Sequence, residues 1–243
     1  MSNTVELSLV IPCFNESKNV EIIKQKALEL IATNPYLEVL LVDNGSSDDS
    51  LAEFTRIQEE NNPQLCVVRV DNNIGYGNGI LQGLYKANGK FLAWTHADLQ
   101  TDPNDVIVAY KLAQSCNDMQ KAFIKGARQD RPLLDTFFTF GMQCYSSFKL
   151  GVWLSDINAQ PKLFSKTFFQ SLNQPPLDFS LDLFVYFEAK QQGLEIRTIP
   201  VRFDKRKYGE AKGGGSWKTK IKLIKRTFKY INELAVNLKE GRQ

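Results

Sequence analysis

The strongest constraint on the fold is a rhythm: short β-branched and aliphatic runs alternate with longer segments of helical spacing. Leu7 to Ile11, Val39 to Val42, Val67 to Val70, Phe91 to Trp94 and Ala122 to Ile124 read as strands. Val20 to Ala32, Ser50 to Glu60, Ile80 to Ala87 and Val106 to Gln114 read as helices, because their apolar residues recur at three- and four-residue steps. Strand and helix in turn, joined by short polar connections, predict a mostly parallel α/β sheet flanked by helices. Any ligand site then lies beyond the carboxyl ends of the strands.

Three polar loops fall in register at those ends: Pro12-Cys13-Phe14-Asn15-Glu16, Asp43-Asn44-Gly45-Ser46-Ser47-Asp48 and Thr95-His96-Ala97-Asp98. Together they predict a cleft along one rim. A chain of 243 residues with 43% hydrophobic composition can bury a core for one domain of this kind. Its formal net charge of +3 is too small for a chain that binds nucleic acid with its whole surface, and the rim loops are acidic. The basic residues gather instead between Arg197 and Lys229, which directs that segment toward phosphate, anionic lipid or an acidic substrate. Cys13, Cys66, Cys116 and Cys144 form no Cys-x-x-Cys pair, so reduced thiols and a cytoplasmic setting are expected. No apolar run is long enough to cross a bilayer, so membrane contact would be made peripherally, from the inner face.

Each loop carries a chemical signal. Asp43 places a carboxylate at a strand end, where a ribose hydroxyl or a base imino proton would seek an acceptor, while Asn44-Gly45 also suits a plain turn. Asn72 to Gly79 precedes a helix, and its glycines would let backbone amides approach a phosphate or base. Gly75, Gly77 and Gly79 do not fit Gly-x-Gly-x-x-Gly, because the sixth position is Ile80, and no Walker A pattern occurs, which disfavours a dehydrogenase and a P-loop enzyme. Asp98, followed by Leu99 and Gln100, offers oxygen ligands for a divalent metal bridging a diphosphate. His96, the chain's one histidine, stands two residues before Asp98 and so shares its side of an extended segment. Arg128 would bring a guanidinium to the same rim, where it can pair with phosphate or make a surface ion pair. Asp156, and Asp182 within the aromatic stretch Phe179 to Phe187, are candidate bases, with helix capping as the alternative reading of each.

Taken in order, Val10 to Glu16, Val42 to Asp48, Asn73 to Gly77, Ala97 to Gln100 and Gly126 to Arg128 resemble the inverting GT-A enzymes of glycosyltransferase family 2, over residues 5 to 210. Arg206 to Lys212 is similar to the Arg-x-x-Gly-Glu-Ser-Lys segment of dolichyl- and polyprenyl-phosphate mannose or glucose synthases. The resemblance implies a Rossmann-like GT-A domain over 1–216, with 205–216 a mobile basic glycine-rich loop and 217–243 a basic amphipathic helix. It further implies transfer of a sugar from a UDP- or GDP-sugar to a polyprenyl phosphate or another membrane-linked acceptor. Pro12, Phe14, Glu16, Asp43 and Gly75 would hold the donor, with Ala97 alongside. His96, Asp98 and Gln100 would occupy the metal slot, and Arg128 and Arg206 would meet phosphate. Asp156 would stand near the acceptor, with Asp182 as a second candidate base.

One position departs from the family: its first aspartate in Asp-x-Asp is His96 here. Imidazole suits Mn²⁺ better than Mg²⁺, so a manganese preference is expected. The same change fits a protein that binds nucleotide sugar without turnover, and a soluble saccharide or protein acceptor is the other alternative. The aromatic segment Pro132 to Leu154 suits an interfacial helix pair or a core-facing helix. Ile221, Ile224, Phe228, Ile231, Ala235 and Leu238 form one apolar stripe, fit to dock on the domain itself, to pair a second subunit, or to lie on anionic lipid.

Overall fold

The computed structural model describes residues 4–98, 100–129, 133–202 and 217–240, with side chains given except in 133–140, 217–224 and 237–240. Arg206 and the 205–216 loop, for which phosphate contact and mobility were expected, lie outside the described residues.

The apolar runs form strands because both of their faces are covered. Strand β1 (Leu7–Cys13) and β2 (Leu37–Asn44) are buried along almost their whole length, as parallel strands between two helical layers must be. They are followed by β3 (Leu65–Val70), β4 (Phe91–Trp94), β5 (Ala122–Arg128), β6 (Lys162–Ser165) and β7 (Glu195–Val201). The sheet order is β3-β2-β1-β4-β6-β5-β7. Every pairing is parallel except those of β6, which runs antiparallel to both β4 and β5.

Helices α1 (Ser17–Thr33), α2 (Ser50–Glu59) and α4 (Asp105–Gln114) cover one face, burying Val20, Ile23, Phe54, Val106 and Tyr110 against Leu9, Ile11 and Leu41. The other face receives α3 (Tyr76–Lys86), α6 (Lys166–Ser171), α7 (Leu181–Gln191) and α8 (Trp217–Glu240). There Phe123 stacks between rings: Phe164 lies 5.8 Å away at 8° and Tyr186 5.8 Å away at 5°. Each such buried ring contributes about 2–3 kcal/mol by removal from water.

Helix α5 (Leu133–Leu150) is one continuous helix, where a helix pair had been an expectation. It packs on α8, with the Tyr145 ring 4.3 Å from Phe228 and the Tyr145 hydroxyl donating to Asn232 at 2.8 Å. Ile231 and Ala235 of the apolar stripe are buried in the same cluster, so this part of the stripe docks on its own domain. Among the described residues no helix is long and apolar enough to cross a membrane.

At the amino ends of the strands, away from the rim loops, Glu38 of β2 is buried and gathers three donors. Ser8 Oγ donates at 2.6 Å, the Asn88 amide at 2.6 Å and Asn88 Nδ2 at 3.1 Å. Ser8 Oγ in turn accepts from the Gly89 amide at 2.8 Å. Glu38→Ala would strip these buried donors of their acceptor at about 1–3 kcal/mol for each group left unpaired. We expect a loss of about 2–4 kcal/mol in urea unfolding, with nucleotide affinity of the folded protein unchanged because the rim lies at the other end of the sheet.

Candidate active site

The carboxyl ends of β1 and β2 are laced together by their loops. Asn15, at φ +52°, receives a bond on Oδ1 from the Ser47 amide at 2.8 Å, and its own amide donates to Ser46 Oγ at 3.0 Å. The Glu16 amide donates to Ser50 Oγ at 3.0 Å, and the Ser17 amide to Asp48 Oδ2 at 3.2 Å. Pro12 and Phe14 are half-buried beside this lacing. The Glu16 carboxylate accepts from Asn19 Nδ2 at 2.6 Å.

Asp43 is fully buried and anchors the turn after β2. Its Oδ1 accepts from the Ser46 amide at 2.9 Å and its Oδ2 meets Arg69 Nη1 of β3 at 3.1 Å. Gly45 lies at φ +71°, and a Cβ there would come within 2.5 Å of the Asn73 amide nitrogen. Only glycine fits that approach.

The glycines of the 72–79 turn receive a segment of the chain's own backbone. A Cβ on Gly75 would lie 2.2 Å from the Leu177 carbonyl oxygen, and one on Gly77 would lie 2.6 Å from the carbonyl oxygens of Pro176 and Asp178. The Asn78 amide donates to the Leu177 carbonyl at 2.8 Å. The turn is glycine-rich so that the 176–178 backbone can lie on it, and the Gly75 carbonyl accepts from Asn44 Nδ2 at 3.0 Å.

Beyond β4, alternation divides the side chains. Ala97 points into the core cluster, while the His96 ring lies 5.9 Å from Tyr76 and the Asp98 carboxylate is nine-tenths buried. Asp98 Oδ1 accepts from the Gln100 amide at 3.2 Å, so Gln100 braces the aspartate through its backbone. Burial pushes the His96 imidazole below its usual range; Asp98 and Asp182 oppose this, while Lys162 and Arg128 add to it. A neutral imidazole has a nitrogen lone pair to offer a metal.

Arg128 and Asp156 are brought together. The Arg128 amide donates to Asp156 Oδ2 at 2.7 Å and Arg128 Nε donates to Oδ1 at 3.0 Å. Asp156, at φ +42°, thus aims the guanidinium. Gly126, two residues earlier, lets the opposing chain pass: a Cβ there would sit 2.1 Å from the Gln160 carbonyl oxygen.

Asp182 lies in the first turn of α7, buried, and its Oδ1 accepts from Lys162 Nζ and from Gln160 Nε2 at 2.7 Å. Lys162 is fully buried, its ammonium 5.6 Å from the Trp94 ring centre. Lys125 faces it across β5 and β6, and burial together with the like charge of Lys162 lowers the Lys125 amine to about 7.

Of these floor residues Asp182 is a sequence candidate, whereas Lys162, Gln160 and Lys125, with Tyr76 and Arg69, are not singled out from sequence as functional. The available signal was a lysine interrupting an apolar strand run, at Lys125 after Ile124 and at Lys162 before Leu163.

A divalent metal fits the donor set in part. Asp98 offers a carboxylate and His96 a neutral imidazole, but no group of three or more His, Cys, Asp or Glu side chains gathers among the described residues. The remaining ligands would have to come from a diphosphate and water, as in a metal that enters with its nucleotide.

Comparison with known proteins places the fold and the family. The structure resembles glucosyl-3-phosphoglycerate synthase from Mycobacterium tuberculosis, solved with Mn²⁺, UDP and glucosyl-3-phosphoglycerate, at 17% identity and a TM-score of 0.65, covering 84% of this chain and 72% of that one. It also resembles a mannosyltransferase from Pyrobaculum calidifontis in complex with GDP-mannose and Mn²⁺, at 19% identity and a TM-score of 0.61, covering 84% of this chain and 58% of that one. These likenesses show the GT-A fold.

In sequence the chain is 32% identical over 104 residues to dodecaprenyl-phosphate galacturonate synthase of Rhizobium johnstonii, covering 42% of this chain and 31% of the relative. It is 30% identical over 127 residues to undecaprenyl-phosphate 4-deoxy-4-formamido-L-arabinose transferase of Yersinia enterocolitica, covering 51% of this chain and 38% of the relative. The chain therefore spans about a third of the length of these relatives. The model of Glycosyl transferase family 2 matches residues 8–142, more than half of the 243 residues, and the chain belongs to that family.

Proposed function

We propose that this chain binds a nucleoside diphosphate sugar and transfers the sugar, with inversion, to a polyprenyl phosphate. The observation that carries this reading is the convergence on one rim of the Asp43 turn, the His96–Asp98 segment and the Arg128–Asp156 pair. The names of the curated relatives support the acceptor class, since those proteins are named for dodecaprenyl- and undecaprenyl-phosphate products.

In this reading Pro12, Phe14, Glu16 and Asp43 hold the nucleoside, and Gly75 fixes the neighbouring turn. Asp98 and His96, braced by Gln100, hold the metal end of the diphosphate, with Ala97 seating the segment in the core. A bound divalent ion there neutralises charge on the departing diphosphate. Arg128 is aimed by Asp156 to meet phosphate bidentately, and Arg206 adds a second cation.

The two candidate bases support an anionic acceptor. Asp156 holds Arg128 by two hydrogen bonds, and Asp182 holds Lys162 and Gln160. Each carboxylate is thus already engaged as the acceptor of a cationic side chain, which suits a positioning role better than proton transfer. A phosphate oxygen arrives already ionised and needs alignment with the sugar carbon more than deprotonation. Asp156 then serves as an orienting group, and Asp182 as the counter-charge of the floor.

Binding is tested by thermal shift with UDP, GDP and CDP and their sugars, each with Mn²⁺, Mg²⁺ or chelator. One nucleotide should raise the unfolding midpoint only when metal is present, equivalent to about 2.7 kcal/mol at a hundredfold excess over Kd. No shift with any of them would favour a scaffold without turnover.

The imidazole at position 96 predicts more turnover with Mn²⁺ than with Mg²⁺. His96→Asp should bring the Mg²⁺-supported rate close to the Mn²⁺-supported one, and an unaltered ratio in initial-rate assays would remove the argument. Undecaprenyl phosphate should accept sugar while undecaprenol should not; equal transfer to the alcohol, followed by radiolabelled donor, would mean that a base operates after all.

A further inference from the structure

Helix α8 reaches the metal slot through a chain of side chains on the opposite flank of Tyr76's turn. Arg226 Nε donates to Asp178 Oδ2 at 2.6 Å, and the Arg226 guanidinium carbon lies 5.8 Å from the centre of the Phe179 ring. Phe179 stacks on Tyr76 with ring centres 4.8 Å apart at 8°. Tyr76 in turn lies 5.9 Å from His96, tilted by 32°.

The turn that carries Phe179 is held by main-chain and side-chain bonds at its neighbours, Asp178 among them, which also pairs with Arg226. The Leu177 carbonyl accepts from the Asn78 amide at 2.8 Å, and Asp178 Oδ1 accepts from the Ser180 amide at 2.8 Å. The Tyr76 hydroxyl is buried with Trp94 and Gln160 as its polar neighbours, and makes no hydrogen bond of ordinary length and angle among the described residues. With its polar end held only loosely, the ring takes much of its position from packing, and the flat contact with Phe179 is the stacked contact it makes.

The exposure of the outer members marks them as more than core. Phe179 is 38% exposed, and the Arg226 and Asp178 side chains are 41% and 33% exposed. Phe179 leaves more than a third of its surface in water, and an ion pair this open contributes about 0–1 kcal/mol. Their consequence lies inward, on the ring that contacts His96.

We propose that Arg226 and Phe179 are positioning residues that set the His96 ring in the metal slot through Tyr76, making the C-terminal helix part of the donor-site apparatus. The functional half of this inference rests on the reading of His96 as a metal ligand. It predicts that cutting α8 away from the Asp178–Phe179 turn loosens metal and nucleotide binding without unfolding the domain. Removing groups that orient a metal ligand lowers metal affinity by about tenfold or more.

The chain holds a single histidine, so an untagged protein gives one imidazole Cε1–H signal in a ¹H–¹³C spectrum. That signal reports the ring's surroundings directly, in the absence of metal. At pH 8, Phe179→Leu and Arg226→Gln should each displace it, and Phe179→Tyr should leave it near its original place because the stack is kept. Titration calorimetry with Mn²⁺ plus UDP and Mn²⁺ plus GDP should show affinity about tenfold weaker in the two displaced variants and retained in Phe179→Tyr. Circular dichroism melting checks that all remain folded.

A His96 signal unmoved in both Phe179→Leu and Arg226→Gln overturns the inference. So does a moved signal with undiminished Mn²⁺–nucleotide affinity, when His96→Ala does weaken that affinity. If His96→Ala leaves the affinity unchanged, the metal-slot reading itself has failed, and the functional half of the inference falls with it while the spectrum still decides the packing half.

Discussion

A lysine ammonium sealed inside a sheet must find its counter-charge within the protein, and much of the site side of this molecule follows from where Lys162 finds it. Desolvating the two ions separately costs several kcal/mol each, so the pair with Asp182 forms only if α7 packs with its first turn over β6. Gln160 donates to the same carboxylate oxygen, which fixes the segment leading into β6. That segment is the one whose backbone passes Gly126 at a distance no side chain would allow. Asp156, a few residues upstream, thereby comes within reach of Arg128 on the neighbouring strand. A buried ion pair of this kind contributes little net stability but fixes the geometry around it, because any other arrangement leaves a charge uncompensated.

The parallel half of the sheet was legible in the sequence because both faces of β1, β2 and β4 are covered, which makes each an uninterrupted apolar run. The rim position of Asp43, His96, Asp98 and Arg128 followed from those runs, since a loop after a parallel strand has one place to go. The antiparallel β6 and the edge strand β7 were not read. β6 is four residues long and opens with Lys162, so no run announces it. β7 carries Glu195, Arg197 and Pro200 on an edge where water solvates the outer side chains, and proline is tolerated there because no further strand needs its amide.

The glycine-rich turn shows a different limit. Glycines at 75 and 77 signal that something approaches the backbone closely, and the nature of that visitor is invisible until the fold is known. A phosphate and a passing chain make the same demand on Cβ. Here the visitor is the carbonyl backbone of 176–178, a hundred residues away in sequence. The pairing of Arg128 with Asp156, and of Asp182 with Lys162, was hidden for the same reason, because each is a contact between distant segments that composition cannot announce.

Charge bookkeeping then connects the floor to the donor. Asp98, Asp156 and Asp182 are set against Arg128 and Lys162, while Lys125 titrates near neutrality and adds only part of a charge. A nucleoside diphosphate brings at least two further negative charges into this partly dry cleft, and it can bind tightly only if cations enter with it. In the proposed reading a divalent ion at Asp98 would be one source, and the basic run that the sequence carries from Arg202 to Lys229 would be another. In that reading an aspartate in place of His96 would deepen the negative side of the balance and bind a metal harder, whereas the imidazole would leave the slot less charged and lean more on the diphosphate. Metal and nucleotide would then bind together, each weak without the other, with His96, the residue that departs from the family pattern, making their binding most interdependent.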